Sequence, residues 1–256
     1  MSTTSPAVES LLRSLRYAYR LPLLLLHLLI GLPITLILIA LGRGGRLSHA
    51  AVRGFMGGLA WVFGLRVRRE GVPQQGGVLF VANHVSWRDI VVLQSQQMMG
   101  FIAKSEIRGW PLVGWLAMQG ESIFLQRGNG DSLGQVVGEM AQRLRAGRAV
   151  GAFPEGGTRS GRGVIVFHAR IFAAAVEAEA PVQPVAVAYG PKASAQAIMA
   201  FRPRERFLGN FFRVLAEPTR PVRVCFLEQV LPGQFDGRRG MAEMAQARVI
   251  AALTAD

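Results

Sequence analysis

Apolar and polar positions divide this chain into two unlike parts. From Leu21 to Gly42 no charged residue occurs and Leu and Ile dominate, a run long enough to span a bilayer. Pro22, Gly31 and Pro33 interrupt the run, and His27 sits in its first half. Arg13, Arg16 and Arg20 precede it and Arg43, Arg46 and Arg53 follow it, so the distribution of positive charge assigns no orientation. Basic residues at both ends suit a kinked, re-entrant pair of helices whose ends return to one anionic surface. A single anchor helix is the other solution. A second apolar stretch, Phe55 to Leu65 with Trp61, is expected to lie in the interface beside it.

After Glu70 short apolar runs alternate with helical spacing, the pattern of an α/β sheet flanked by helices. Strands are predicted at Val78 to Ala82, Phe101 to Ala103, Ser122 to Leu125, Ala149 to Phe153, Val182 to Ala188 and Val222 to Leu227. Leu133, Val136, Val137, Met140 and Leu144 recur at helical spacing, with Asp131 placed to cap that helix and Gly147 to end it. Further helices are expected over Ala169 to Ala180 and after Gly240.

Composition changes this picture in one respect. The 256 residues carry a net charge of +13, of which residues 1–70, with nine Arg against Glu9 and Glu70, supply +7. The basic region brackets the most apolar stretch, and no aromatic RNA-binding signature accompanies it. An anionic membrane surface is therefore the expected partner, and nucleic acid is not. The single cysteine, Cys225, excludes an internal disulfide and reads as a small core residue within a strand.

Candidate chemistry gathers where strands give way to loops, the usual place for ligands in such folds. His84 and Asp89 stand five positions apart after the first apolar run, in Asn83-His84-Val85-Ser86-Trp87-Arg88-Asp89. A carboxylate can hold an imidazole in one tautomer and leave its other nitrogen free to take a proton. Arg127 follows the third predicted strand. Phe153-Pro154-Glu155-Gly156-Gly157-Thr158-Arg159-Ser160-Gly161-Arg162-Gly163 follows the fourth. Glycines there let backbone amides approach an anion, and Arg159 and Arg162 offer forked donors suited to phosphate. The histidines are scattered and no Cys/His ligand spacing exists, so neither a metal nor a cofactor is called for.

Four ordered blocks carry a resemblance: Asn83-His84-x-Ser86-Trp87-x-Asp89, Gly120-x-x-Ile123-Phe124-x-x-Arg127, Phe153-Pro154-Glu155-Gly156 and Ala180-Pro181-Val182-x-Pro184-Val185. Together, over residues 60 to 230, they resemble the glycerophospholipid acyltransferases, in particular the bacterial 1-acyl-glycerol-3-phosphate acyltransferases. The apolar and basic pattern sets a membrane-associating helical region, residues 1–70, monotopic or a single anchor, ahead of residues 71–256, which the resemblance implies are an acyltransferase domain; the expected place is the inner face of a bacterial cytoplasmic membrane. The resemblance also implies transfer of a fatty acyl chain from acyl-CoA or acyl-acyl carrier protein to the hydroxyl of a lysolipid, foremost lysophosphatidate. His84 is then the general base and Asp89 its orienting partner. Arg127, Glu155, Gly156, Arg159 and Arg162 shape the substrate region, with Glu155 ordering its loop or pairing an arginine. Asn83, Ser86 and Pro184 are supporting residues, Asn83 ordering the turn and Pro184 lying in a strand beneath the site.

One departure bears on the acceptor. Many close family members carry Thr-Arg directly after the Glu-Gly pair; here Gly157-Thr158 stands there and the arginine follows as Arg159. Relatives with Thr-Thr there resemble enzymes acylating other lysolipids, including lyso-ornithine lipid, so the shifted arginine weakens the case for a phosphorylated acceptor. Two readings from other classes stay open: a lipid hydrolase using Ser86 as nucleophile, and a non-catalytic lipid-binding protein.

Overall fold

The computed structural model describes residues 5–110, 113–126, 130–158 and 161–255. Helix α1 (Pro6–Leu26) starts at Ser5, whose Oγ accepts from the Val8 N–H, with Pro6 in the first turn where no N–H is required. A π turn (His27–Gly31) leads into α2 (Leu32–Gly42), so one helix runs from Pro6 to Gly42, long and apolar enough to cross a membrane. Thr35 Oγ1 donates to the Gly31 carbonyl at 2.7 Å. His27 stacks on Phe55 with ring centroids 4.5 Å apart, its Nε2 lying 2.9 Å from the Phe55 carbonyl.

The chain reverses at Arg43 and Gly44, both with positive φ, and α3 (Arg46–Val62) returns along α2. The expected re-entrant pair within Leu21–Gly42 is not formed: Pro22, Gly31 and Pro33 do not reverse the chain, and one helix runs through them to Gly42. Pro33 falls in the first turn of α2, directly after the π turn, where a missing N–H is accommodated. The stretch from Phe55 to Leu65 departs from expectation. Phe55, Ala60, Val62, Phe63 and Leu65 are buried, because α3 packs against the sheet and its neighbouring helix; only Trp61 is well exposed.

The remaining elements are β1 (Leu65–Glu70), β2 (Leu79–Ala82), α4 (Arg88–Gln96), β3 (Gly100–Lys104), α5 (Val113–Gln119), β4 (Ile123–Leu125), α6 (Gly130–Arg145), β5 (Val150–Ala152), α7 (Ala173–Glu177), β6 (Val182–Tyr189), α8 (Gln196–Met199), α9 (Phe207–Leu215), β7 (Arg220–Phe226) and α10 (Gly237–Thr254). The strands form one mixed sheet in the order β1-β7-β6-β2-β5-β3-β4, parallel except for the β6–β7 pair. The α/β class and each of the six expected strands are borne out. β1, within residues 1–70, is an additional strand pairing with β7, so the sheet begins inside that segment. Apolar residues of α1, α3, α4 and α9 cover one face, and those of α6, α7 and α10 the other. β6 is buried along its whole length. Gly147, with φ +71°, ends α6 as expected; the helix begins at Gly130, and the side chain of Asp131 lies outside the described residues. The Ala169 to Ala180 helix is shorter than expected, a 3-10 turn followed by α7.

Arg20 departs from its place among the membrane-flanking cations. It is 2 % exposed. Its guanidinium donates to the carbonyls of Leu215 and Glu217 and to Thr219 Oγ1, at 3.0, 2.7 and 3.0 Å. These carbonyls leave the C-terminal end of α9, where a cation is favoured. Arg20 thus clamps the leader helix to the sheet domain. Arg20→Ala is expected to destabilise the protein by on the order of 3 kcal/mol, since it orphans buried acceptors. Denaturant unfolding in detergent, with proteolysis of the leader, measures this. Cys225 is a core residue as expected; burial and the nearby Glu70 carboxylate push its thiol up to about 12.

Candidate active site

The sheet places the site at the carboxyl end of β2. Asn83, the next residue, extends the β2–β6 ladder with its side chain: Nδ2 donates to the Val187 carbonyl and Oδ1 accepts the Val187 N–H, at 3.0 and 2.9 Å. This fixes where the backbone leaves the sheet and aims His84 out of it. Pro184 sits in β6 paired with Val81, beneath that exit. Its carbonyl accepts from Leu227, so its missing N–H faces the end of β7, where the ladder stops.

Asp89 lies in the first turn of α4 and is fully buried. Its Oδ2 accepts from His84 Nδ1 at 2.8 Å and from the backbone N–H groups of Val85 and Ser86 at 2.7 and 2.9 Å. Its Oδ1 accepts the Tyr189 hydroxyl at 2.6 Å. Oδ2 already receives two backbone N–H groups and so meets the imidazole as an acceptor, which puts the ring proton on Nδ1 and leaves the lone pair on Nε2. The His84 side chain is 12 % exposed, and Nε2 has no hydrogen-bond partner among the described residues. Its ring stacks on Phe153, centroids 3.8 Å apart, and Phe153 stacks in turn on Phe101.

Glu155 is buried, and its carboxylate accepts from the His84 N–H at 2.8 Å and the Ile165 N–H at 3.3 Å. It therefore ties the loop after β5 to the loop after β2, an ordering contact of the kind the sequence suggested. Gly156 has φ +74°, and a side chain there would meet His168. Arg162 is exposed on the same loop. Arg127 and Arg159 lie outside the described residues, so their expected contacts with substrate stand as proposals.

Ser86 is 0 % exposed. Its Oγ accepts from both the backbone N–H and Nε of Arg88, at 3.1 and 3.0 Å, while Arg88 Nη2 reaches the Met199 carbonyl. A nucleophile needs an accessible hydroxyl beside a base; this one is buried and faces a cation instead. Ser86→Ala is expected to retain acyl transfer, and a serine-directed fluorophosphonate is expected to leave the protein unlabelled by mass spectrometry.

Several contributors escaped the sequence reading: Tyr189, Arg88, Phe153 and the frame beneath Trp87. Trp87 Nε1 donates to Asn210 Oδ1, Asn210 to Glu205, and Glu205 pairs with Arg213 at 2.6 Å, holding its carboxyl down at about 2. One signal was available for Tyr189, since a tyrosine ending a buried, mostly apolar strand needs a partner for its hydroxyl.

Together these features make an α/β protein whose histidine is held by a buried aspartate at the carboxyl end of a central strand. The crystal structure of the 1-acyl-sn-glycerophosphate (LPA) acyltransferase from Thermotoga maritima superposes with a TM-score of 0.69 at 22 % identity, covering 93 % of this chain and 96 % of that one. At that identity the likeness shows the fold. The sequence goes further. The family model described as Acyltransferase matches residues 64–188. The lyso-ornithine lipid O-acyltransferase of Pseudomonas aeruginosa is 36 % identical over 81 % of this chain and 80 % of its own. The 1-acyl-sn-glycerol-3-phosphate acyltransferase of Neisseria gonorrhoeae is 36 % identical over 49 % of each. The chain belongs to the acyltransferase family, as its four motif blocks implied.

Proposed function

We propose that this protein is a membrane-associated O-acyltransferase that acylates the hydroxyl of a lysolipid, with His84 as general base. The observation that carries this reading is the imidazole whose Nδ1 is held by buried Asp89 while Nε2 is left without a partner among the described residues. Nε2 takes the proton of the acceptor hydroxyl as its oxygen attacks the thioester carbonyl carbon. The C–S bond then breaks, and the imidazolium returns its proton to the departing sulfur. A thioester is reactive enough that a positioned base and proximity suffice. Asp89 stabilises the imidazolium during the step, and the Glu155 carboxylate keeps the two loops in register.

The donor is acyl-CoA or acyl-acyl carrier protein. The N-terminal apolar helix, whose Leu25, Leu26, Leu29, Ile30, Ile34 and Ile37 are exposed, supplies the membrane contact, and the sheet, which begins with β1 inside residues 1–70, with its flanking helices forms the catalytic domain. Basic Arg43, Arg46 and Arg53 near the helix reversal suit anionic lipid at the inner face of a bacterial membrane. Arg127, Arg159 and Arg162 are assigned to the acceptor headgroup.

For the acceptor, the balance has moved from lysophosphatidate to lyso-ornithine lipid. The relative matched over four fifths of its length is named for the latter, and the arginine displaced to Arg159 by Gly157-Thr158 weakens a phosphorylated acceptor. Lysophosphatidate remains the second reading, favoured by the Neisseria relative matched over half of this chain. Purified protein in anionic vesicles, given labelled acyl thioester and a panel of lysolipids, is expected to label lyso-ornithine lipid fastest. Preferential labelling of lysophosphatidate would reverse the assignment.

A further inference from the structure

The buried carboxylate at the centre of the site has two oxygens with different work. Oδ2 receives the imidazole and the two backbone amides; Oδ1 receives the hydroxyl of Tyr189. Tyr189 is the last residue of β6, on the far side of Asp89 from His84, and it is 0 % exposed. It is held independently of Asp89. Its backbone N–H donates to Gln196 Oε1 at 3.2 Å and its carbonyl accepts from Ala195 at 2.9 Å. Gln196 in turn donates to the Val187 carbonyl at 2.7 Å. The phenol therefore approaches Asp89 from a rigid strand end, and the contact is not an incidental surface pairing.

We infer that Tyr189 is a positioning residue for acyl transfer: through Asp89 Oδ1 its hydroxyl sets the basicity of the Asp89–His84 pair. The inference rests on the reading of His84 as base. A buried carboxylate is stabilised by each donor it receives, so removing one raises its affinity for a proton and for a neighbouring imidazolium. The charged and titratable groups around the pair come from several elements. His84 lies on the loop after β2, Arg88 on α4 and Tyr189 on β6. Glu155, on the loop after β5, receives the His84 backbone N–H, and Arg213 and Glu217, from the α9 end, act on Arg88. Tyr189 itself stays protonated, since burial, with the Asp89 charge adding to it, holds its hydroxyl well above the ordinary tyrosine range. It is a permanent donor across the working pH range.

The sign of the effect follows. Without the hydroxyl, Asp89 holds the imidazolium more tightly, His84 becomes a free base only at higher pH, and the acid limb of the rate profile moves up. A stronger donor in the same place moves it down.

The test is the pH profile of kcat/KM for acyl transfer by full-length protein in anionic vesicles. Wild type is compared with Tyr189→Phe, which keeps the ring, with 3,5-difluorotyrosine placed at position 189, and with His84→Ala. The inference expects the Tyr189→Phe acid limb to rise by on the order of one pH unit, the scale of one charge-assisted hydrogen bond. It expects the difluorotyrosine limb to fall below wild type. Unmoved limbs in both proteins, with His84→Ala inactive, would overturn the role of Tyr189 and leave His84 as base. Activity in His84→Ala would overturn both. The fluorinated protein keeps the native shape, so a folding defect in Tyr189→Phe does not leave the question open.

Discussion

His84→Ala is expected to lower acyl transfer by about 10²–10⁴-fold, the range a positioned general base supplies. The loss should fall on kcat and kcat/KM together, because the acceptor loses its proton only in the transition state. Vesicle binding and unfolding should change little. The His84 ring is partly exposed and stacks on Phe153, and the contact with Glu155 that orders the loops comes from the His84 backbone N–H. Added imidazole is expected to restore part of the rate in the space the side chain leaves. Parallel measurement of transfer rate, vesicle cosedimentation and unfolding midpoint separates the chemical effect from a structural one.

Asp89 carries two loads, and two substitutions separate them. In Asp89→Asn the Val85 and Ser86 N–H groups keep the amide oxygen on the imidazole side, so the tautomer of His84 persists while the charge is lost. A buried partner of this kind is worth about 3–5 kcal/mol to the opposing charge. The rate is therefore expected to fall by about 10²–10⁴-fold, and the acid limb of the pH profile to move to lower pH. The sign follows because the imidazolium is less stable without the carboxylate. Asp89→Ala removes the acceptor altogether and strands Val85 N–H, Ser86 N–H and the Tyr189 hydroxyl in a dry interior. Its unfolding free energy is expected to drop by on the order of 3–5 kcal/mol. Comparable stability of the two variants would contradict the assigned network.

Much of this was legible in the chain because the central strands are buried on both faces and read as unbroken apolar runs. Leu79 to Ala82 and Pro184 to Ala188 are of this kind. β1 was not legible: as an edge strand it carries Arg66, Arg68 and Arg69, and that charge reads as a basic leader. Arg20 was misassigned for a related reason. Sequence shows a cation flanking an apolar run but not the carbonyl ends of α9 that it meets across the fold. At the site, the local pair was visible because His84 and Asp89 are near neighbours in sequence. Tyr189, a hundred positions later, reaches the same carboxylate through the β2–β6 pairing, which no local pattern displays. The departure at Gly157-Thr158 was visible and weakened a phosphorylated acceptor without naming another.

A single rapid-quench turnover tests the central claim most directly. Enzyme in anionic vesicles is mixed with labelled acyl thioester and lysolipid, and the label is followed at each time point on donor, protein and lipid. In the wild-type protein the label is expected to pass from thioester to lysolipid without residing on the protein, and in His84→Ala to remain on the donor. Label on the protein ahead of the lipid, or undiminished transfer by His84→Ala, would contradict direct attack by a hydroxyl that His84 activates.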